Sequence, residues 1–300
     1  MKLKYIISTV IFALMAIPAI AKIDVVATST DLGDIAKAVG GSRVSVSTLM
    51  LGTQNPHAVE PRPSQVVKLR NADVVVRIGM DLDMWADSLI EAARNSKISR
   101  GGKGYIDASD NIRKLEVPRG KIDGSHGDIH VYGNPHYWLD PENAKVIAST
   151  IFVGLKRVSP SDADYFRKNY EAFAAKINGK MPEWKARLAS CKGEQVVTYH
   201  KTWIYFLHRF GLKEFDNVEP KPGIPPSPSH ISELISSMKR EKVRLILTEP
   251  FYSRKYSDMI ARAAGAKVVV VPASIGGAKG INNYFELMDK ITSEVARALK

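Results

Sequence analysis

The stretch SDADYFRKNYEAFAAKINGKMPEWKARLAS, residues 161–190, decides the fold. It is charged, alanine-rich and helical in period, has no strand signal, and separates two segments in which β-rich runs alternate with helices. A long helix in that place joins two α/β lobes that both pack against it. Gly179 and Pro182 interrupt the pattern, and an interior proline removes a hydrogen bond and crowds the preceding turn. A kink or short break is therefore expected between Asn178 and Met181.

Upstream, Ile23–Thr28, Arg43–Leu49, Asp73–Ile78 and Gly104–Ala108 read as strands. Helices fall between them, the first capped at Thr30-Asp31 and another containing Trp85. Asp140-Pro141 marks a further helix start, with Asp140 as N-cap and the proline in the first turn. Downstream, strands are expected at Gln195–Tyr199, near Phe215, at Val243–Thr248 and at Lys267–Val271. Ser227-Pro228 starts a helix after a proline-rich loop, and a terminal helix begins near Asn283. The fold class is thus α/β, with two lobes, each a mostly parallel sheet flanked by helices. The expected divisions are a signal peptide at 1–21, an N-terminal lobe at 22–158, a connecting helix at 159–192 and a C-terminal lobe at 193–300.

Lys2 and Lys4, an apolar run from Tyr5 to about Ile17, and Ala19-Ile20-Ala21 form an export signal with cleavage after Ala21. The apolar run is short for a membrane span of about 20 residues, and no lipid-acceptor cysteine follows it. The single cysteine, Cys191, rules out an intramolecular disulfide, so packed cores must provide the stability. The formal net charge is +12, but Lys and Arg are scattered among Asp and Glu, which reads as a solvated surface and not a nucleic-acid face.

The tripeptide Asn-Pro-His occurs twice, ending at His57 and at His136. Proline fixes its own φ and keeps the preceding asparagine out of helical space, so each imidazole sits on a stiff loop. His200 follows a strand, and Glu249 follows Val243–Thr248. In parallel sheets ligands collect where loops leave the carboxyl ends of strands, so both lobes can offer groups to one cleft. Taken singly, each histidine reads as an ordinary hydrogen-bonded residue; together, on preset loops, they point to a metal. Neutral imidazole suits zinc, and a carboxylate or water completes a tetrahedral shell.

These residues resemble the zinc- and manganese-binding solute receptors of bacterial ABC importers, the metal-receptor group with a helical backbone. The likeness covers essentially the whole chain. It rests on Asn55-Pro56-His57 followed by Glu60-Pro61 and Pro63-Ser64-Gln65, on Asn134-Pro135-His136-Tyr137-Trp138-Leu139-Asp140-Pro141, and on Tyr199-His200 followed by Tyr205-Phe206. The resemblance implies His57, His136 and His200 as metal ligands. In that family a histidine at the third position goes with zinc and a glutamate with manganese, so His200 implies Zn2+, with Mn2+ the less favoured ion.

The fourth ligand departs from the family pattern. Many members have an acid just after the last strand, where this chain reads Val271-Pro272-Ala273-Ser274-Ile275-Gly276. Glu249 is then the first candidate, water the second and Glu60 the third. Against Glu249 stands a purely structural role, capping backbone amides before Pro250. The loop from Lys121 to Asn134 holds Asp123, His126, Asp128 and His130 among glycines. It reads as a solvated loop, with transient zinc capture by His126 and His130 as the alternative.

The function implied is a periplasmic, monomeric, high-affinity zinc receptor that delivers its ion to an ABC importer permease. The competing reading is an exported zinc hydrolase with a three-histidine site, for which no His-Glu-x-x-His is present.

Overall fold

The computed structural model describes residues 21–118, 120, 130–221 and 223–300. The export signal, apart from Ala21, and His126 lie outside the described residues. Among the described residues, no helix is long and apolar enough to cross a membrane.

Two four-stranded parallel sheets form the frame. In the N-terminal lobe the strands β1 (Ile23–Ala27), β2 (Val44–Thr48), β3 (Val74–Arg77) and β4 (Tyr105–Asp107) lie in the order β2-β1-β3-β4. In the C-terminal lobe β5 (Gln195–Thr198), β6 (Lys213–Asn217), β7 (Leu245–Thr248) and β8 (Lys267–Val270) lie in the order β6-β5-β7-β8. The second order repeats the first, strand for strand. Each central strand alternates between two cores, as a sheet covered on both faces requires. Val25, Ala27, Val74 and Val76 face inward, with Val196, Leu245 and Leu247 of the other lobe. Val26 and Val75 face outward towards the helices α2 (Pro63–Asn71) and α3 (Trp85–Ala93). Val197 and Ile246 face α7 (Pro228–Glu241) and α8 (Arg254–Ala264).

The inward faces meet in one core shared by both lobes. It is filled by α1 (Thr30–Gly40), α4 (Pro141–Val158), α5 (Ala163–Leu188), α6 (Ile204–Phe210) and α9 (Tyr284–Leu299). Along α5, Phe166, Phe173, Ile177, Met181, Trp184 and Leu188 recur at steps that keep one stripe on that core. The expected break in this helix is not found: α5 runs unbroken through Pro182. The reason is orientation, since Pro182 and Asn178 both face solvent, where water can take up the carbonyl that the proline leaves without a donor. Helix starts follow their caps. Asp140 accepts from the Glu142 amide, Ser227 from His230, and Asn283 from Phe285 and Glu286. At α1 the cap is Ser29, one residue before the expected pair.

A strained turn follows β3. Gly79, Met80 and Asp81 have φ of 74°, 50° and 63°, three successive left-handed residues. Asp83, fully buried, holds this turn by accepting the Ile78 amide at 2.7 Å and the Gly79 amide at 3.1 Å, and it pairs with Arg77. The Ile78 carbonyl is thereby presented to the Tyr137 hydroxyl at 2.6 Å, next to His136.

Candidate metal centre

His57 lies in a 3-10 turn on the loop after β2, His136 opens the 3-10 turn before α4, and His200 stands two residues past β5. In both tripeptides the asparagine Oδ1 accepts the backbone N–H of the histidine two residues on, at 3.0 Å each time. The asparagine therefore ties its own side chain across the proline, and the pair acts as one rigid peg.

At Asn134 the same oxygen also lies 3.0 Å from Nδ1 of His136. Its amide nitrogen donates to Glu116 Oε2 at 3.0 Å and to the Lys201 carbonyl at 2.6 Å, which fixes which end of the amide is which. The oxygen can only accept, so Nδ1 carries the proton and Nε2 presents a lone pair. His200 is set in the same sense by a carboxylate, with Nδ1 at 3.1 Å from Glu219 Oε2. Backbone pairing beyond the strands brings Glu219 there, because Val218 N–H bonds to the Thr198 carbonyl and Glu219 N–H to Tyr199. Sequence reading missed Glu219; its signal was an acid two residues beyond the strand that pairs with β5.

The three rings converge. Nε2 of His57 and Nε2 of His136 are 3.1 Å apart, and each of the three histidines offers a nitrogen within 4.8 Å of the others. In a tetrahedral zinc shell, bonds of about 2.0–2.1 Å separate ligand nitrogens by about 3.4 Å. The trio thus needs only a small contraction to hold an ion. His136 and His200 are 2% and 4% exposed, and His57 stands at the mouth. Burial, and then the neighbouring His57 and His200, hold the His136 imidazole well below its usual range, so it is neutral and ready to bind. A cavity of ≈ 10 Å³ beside the rings is lined by Thr202, Tyr252, Ala273 and Ser274 among others, about the room for one water-sized sphere.

Glu249 does not join the trio, and Glu60 is exposed and outside it. Among the described residues, the group able to hold a metal is the three histidines alone. Glu249 is completely buried, with its carboxyl group set against its own backbone amide and the side chains of Thr202 and Trp203. Burial pushes its carboxyl up to about 8.

The segment after β8 forms a strap across the lobes. The Ala273 carbonyl accepts the Trp138 indole N–H at 2.8 Å, the Ile275 amide donates to Asp31 at 3.0 Å, and the Ile275 carbonyl accepts from Thr30 at 2.8 Å. Gly52 is required opposite, since a Cβ there would lie 1.8 Å from the Ile275 oxygen. Farther along, Arg209 of α6 grips Asp140 with two bonds of 2.6 and 2.8 Å.

Known proteins place this geometry. The iron-binding protein YfeA of Yersinia pestis is 26% identical over 287 residues, covering 92% of this chain and 86% of that one. The metal ABC transporter substrate-binding lipoprotein SloC of Streptococcus mutans is 24% identical over 288 residues, 93% of this chain and 90% of that one. The structure of FpvC from Pseudomonas aeruginosa in complex with Mn2+ is 27% identical, with a TM-score of 0.77 over 93% of this chain and 98% of that one. Residues 25–298 match the family model described as ZnuA, zinc-uptake complex component A periplasmic. A substrate receptor of this kind is not an enzyme, which removes the hydrolase reading. With the paired sheets, the long helix and the clustered imidazoles, the chain belongs to that family, the periplasmic metal-binding substrate receptors of ABC importers.

Proposed function

We propose that this protein is a zinc receptor, exported by the signal that ends at Ala21, that captures Zn2+ between its lobes as a monomer and hands it to an importer permease. His57, His136 and His200 hold the ion. Water fills the remaining position at first contact, and Glu249 enters the shell only if its carboxyl group moves. The observation that carries the reading is the composition of the shell: three imidazoles converge and no carboxylate stands with them among the described residues. Manganese prefers oxygen donors, and imidazole suits zinc. The neutral state of His136 eases binding of either ion, since a ligand that is already deprotonated costs nothing to deprotonate when the metal arrives.

Calorimetry on chelator-stripped protein tests this. One zinc ion per chain is expected, bound more tightly than manganese. His136→Ala and His200→Ala should each weaken zinc at least about 100-fold, more than loss of a supporting group does. Tighter manganese binding by the wild-type protein would overturn the zinc assignment.

A further inference from the structure

Beyond the trio stands a fourth imidazole. The His130 ring lies 5.2 Å from that of His57, centroid to centroid, and the His57–His136 separation is also 5.2 Å. The other two pairs of the trio lie at 4.7 and 5.5 Å. Metal–nitrogen bonds of about 2.0–2.1 Å in a tetrahedral shell place imidazole centroids about 5 Å apart. His130 therefore stands from His57 at the spacing of two imidazoles that share one metal ion.

The backbone accounts for this position. The Gly133 amide donates to the His130 carbonyl at 3.2 Å, closing a turn, and the Asn134 amide donates to the Leu115 carbonyl at 2.8 Å. Gly133 has φ of 105°, and a Cβ there would meet the Leu115 oxygen at 2.7 Å, so only glycine lets the chain pass this close. The Leu115 amide is in turn held by the Tyr205 hydroxyl at 3.0 Å. His130 thus hangs from a turn fixed to the same peg that carries His136.

We propose that His130 is the fourth ligand of the bound ion, moving inward from its place against His57 to complete an all-imidazole shell. This rests on the metal-receptor reading of the three-histidine site. It deepens that reading by naming the residue that fills the position which Glu249 and the segment after β8 leave without a carboxylate. The movement starts from ring contact with His57, one member of a trio whose nitrogens lie within 4.8 Å of one another. Four imidazoles favour zinc over manganese more strongly than three imidazoles and a water.

The test uses the full mature protein loaded with zinc or with cobalt(II). X-ray absorption on the zinc form should count four imidazoles in the wild-type protein and three in His130→Ala. The cobalt form should show a tetrahedral visible spectrum that changes when His130 is replaced. Zinc affinity, measured by chelator competition, should fall about 10- to 100-fold in His130→Ala and in His130→Gln. The metal-free melting temperature should stay at the wild-type value in both variants. Unchanged imidazole count, cobalt spectrum and affinity in the variants, with normal binding in the wild type, would overturn the proposal and leave the three-histidine reading intact. A fall in affinity accompanied by an equal loss of metal-free stability also counts against it, as the mark of a packing role. Failure of the wild-type protein to bind zinc or cobalt overturns both.

Discussion

The two lobes share one strand order but hold their imidazoles in different ways. The N-terminal lobe sets His136 with Asn134, a neutral amide that also ties down the backbone, whereas the C-terminal lobe sets His200 with the carboxylate of Glu219. Both fix Nδ1 as the protonated nitrogen and leave Nε2 with a lone pair for a metal. They differ in electrostatics. A carboxylate behind an imidazole raises its basicity and strengthens its bond to a metal, and an amide orients the ring with little such push. The N-terminal half is built for position, and the C-terminal half adds charge.

Three changes probe this contrast. Glu219→Gln keeps a hydrogen-bond acceptor and removes the charge, and should weaken zinc about 10- to 100-fold. Asn134→Asp also brings a carboxylate to His136, but it sets an acceptor oxygen against Glu116 and the Lys201 carbonyl. It should therefore lower the metal-free melting temperature as well as zinc affinity, whereas Glu219→Gln should lower affinity alone; chelator competition and melting scans read both. If the two variants behave alike, the two half-sites do not differ in the way described. A smaller effect is expected at the strap: Ala273→Asp places a carboxylate beside the rings and should raise manganese affinity roughly tenfold, by the preference of that ion for oxygen. Calorimetry with manganese measures it, and no gain would show that the strap holds residue 273 away from the shell.

The smallest change concerns pH. Burial pushes the Asp31 carboxyl up to about 7 from an ordinary 3.8, against the hydrogen bond from the Ile275 amide. A carboxyl group whose folded-state pKa is raised contributes stability that is fully present below its unfolded value and is lost as pH rises through about 7. The metal-free protein should therefore lose melting temperature between pH 5 and pH 8 relative to Asp31→Asn, on the order of 5 °C. His136 contributes with the opposite sign, because its folded-state value is depressed. Its contribution is present above the ordinary histidine value of 6.5 and is lost as the pH falls below it. Melting scans of both proteins across that range separate the two contributions.

Much of this was legible in the chain. Pro-fixed loops, strand runs and capped helix starts are local features, and local features are what a sequence states directly. Asn-Pro-His gave the stiff pegs, and Asp140-Pro141 and Ser227-Pro228 gave two helix starts as found. What was hidden depends on which way a residue faces. Pro182 looked like a break because its solvent-side position could not be read from one dimension. Glu219 was passed over because its partner His200 is 19 residues away and meets it only through strand pairing. Glu249 looked available because it follows a strand, yet its carboxyl lies outside the cluster of the three imidazoles.

The shared core has a consequence for timing. Because α1, α4, α5 and α9 pack into a single apolar mass that touches both sheets, turning one lobe against the other exposes part of it, at about 25 cal/mol for each Å². Wide opening of the molecule is therefore a rare event, and small shifts of the side chains around the trio cost less. The ease of exchanging a bound metal is then set by a few residues around the trio and not by rotation of the frame behind them.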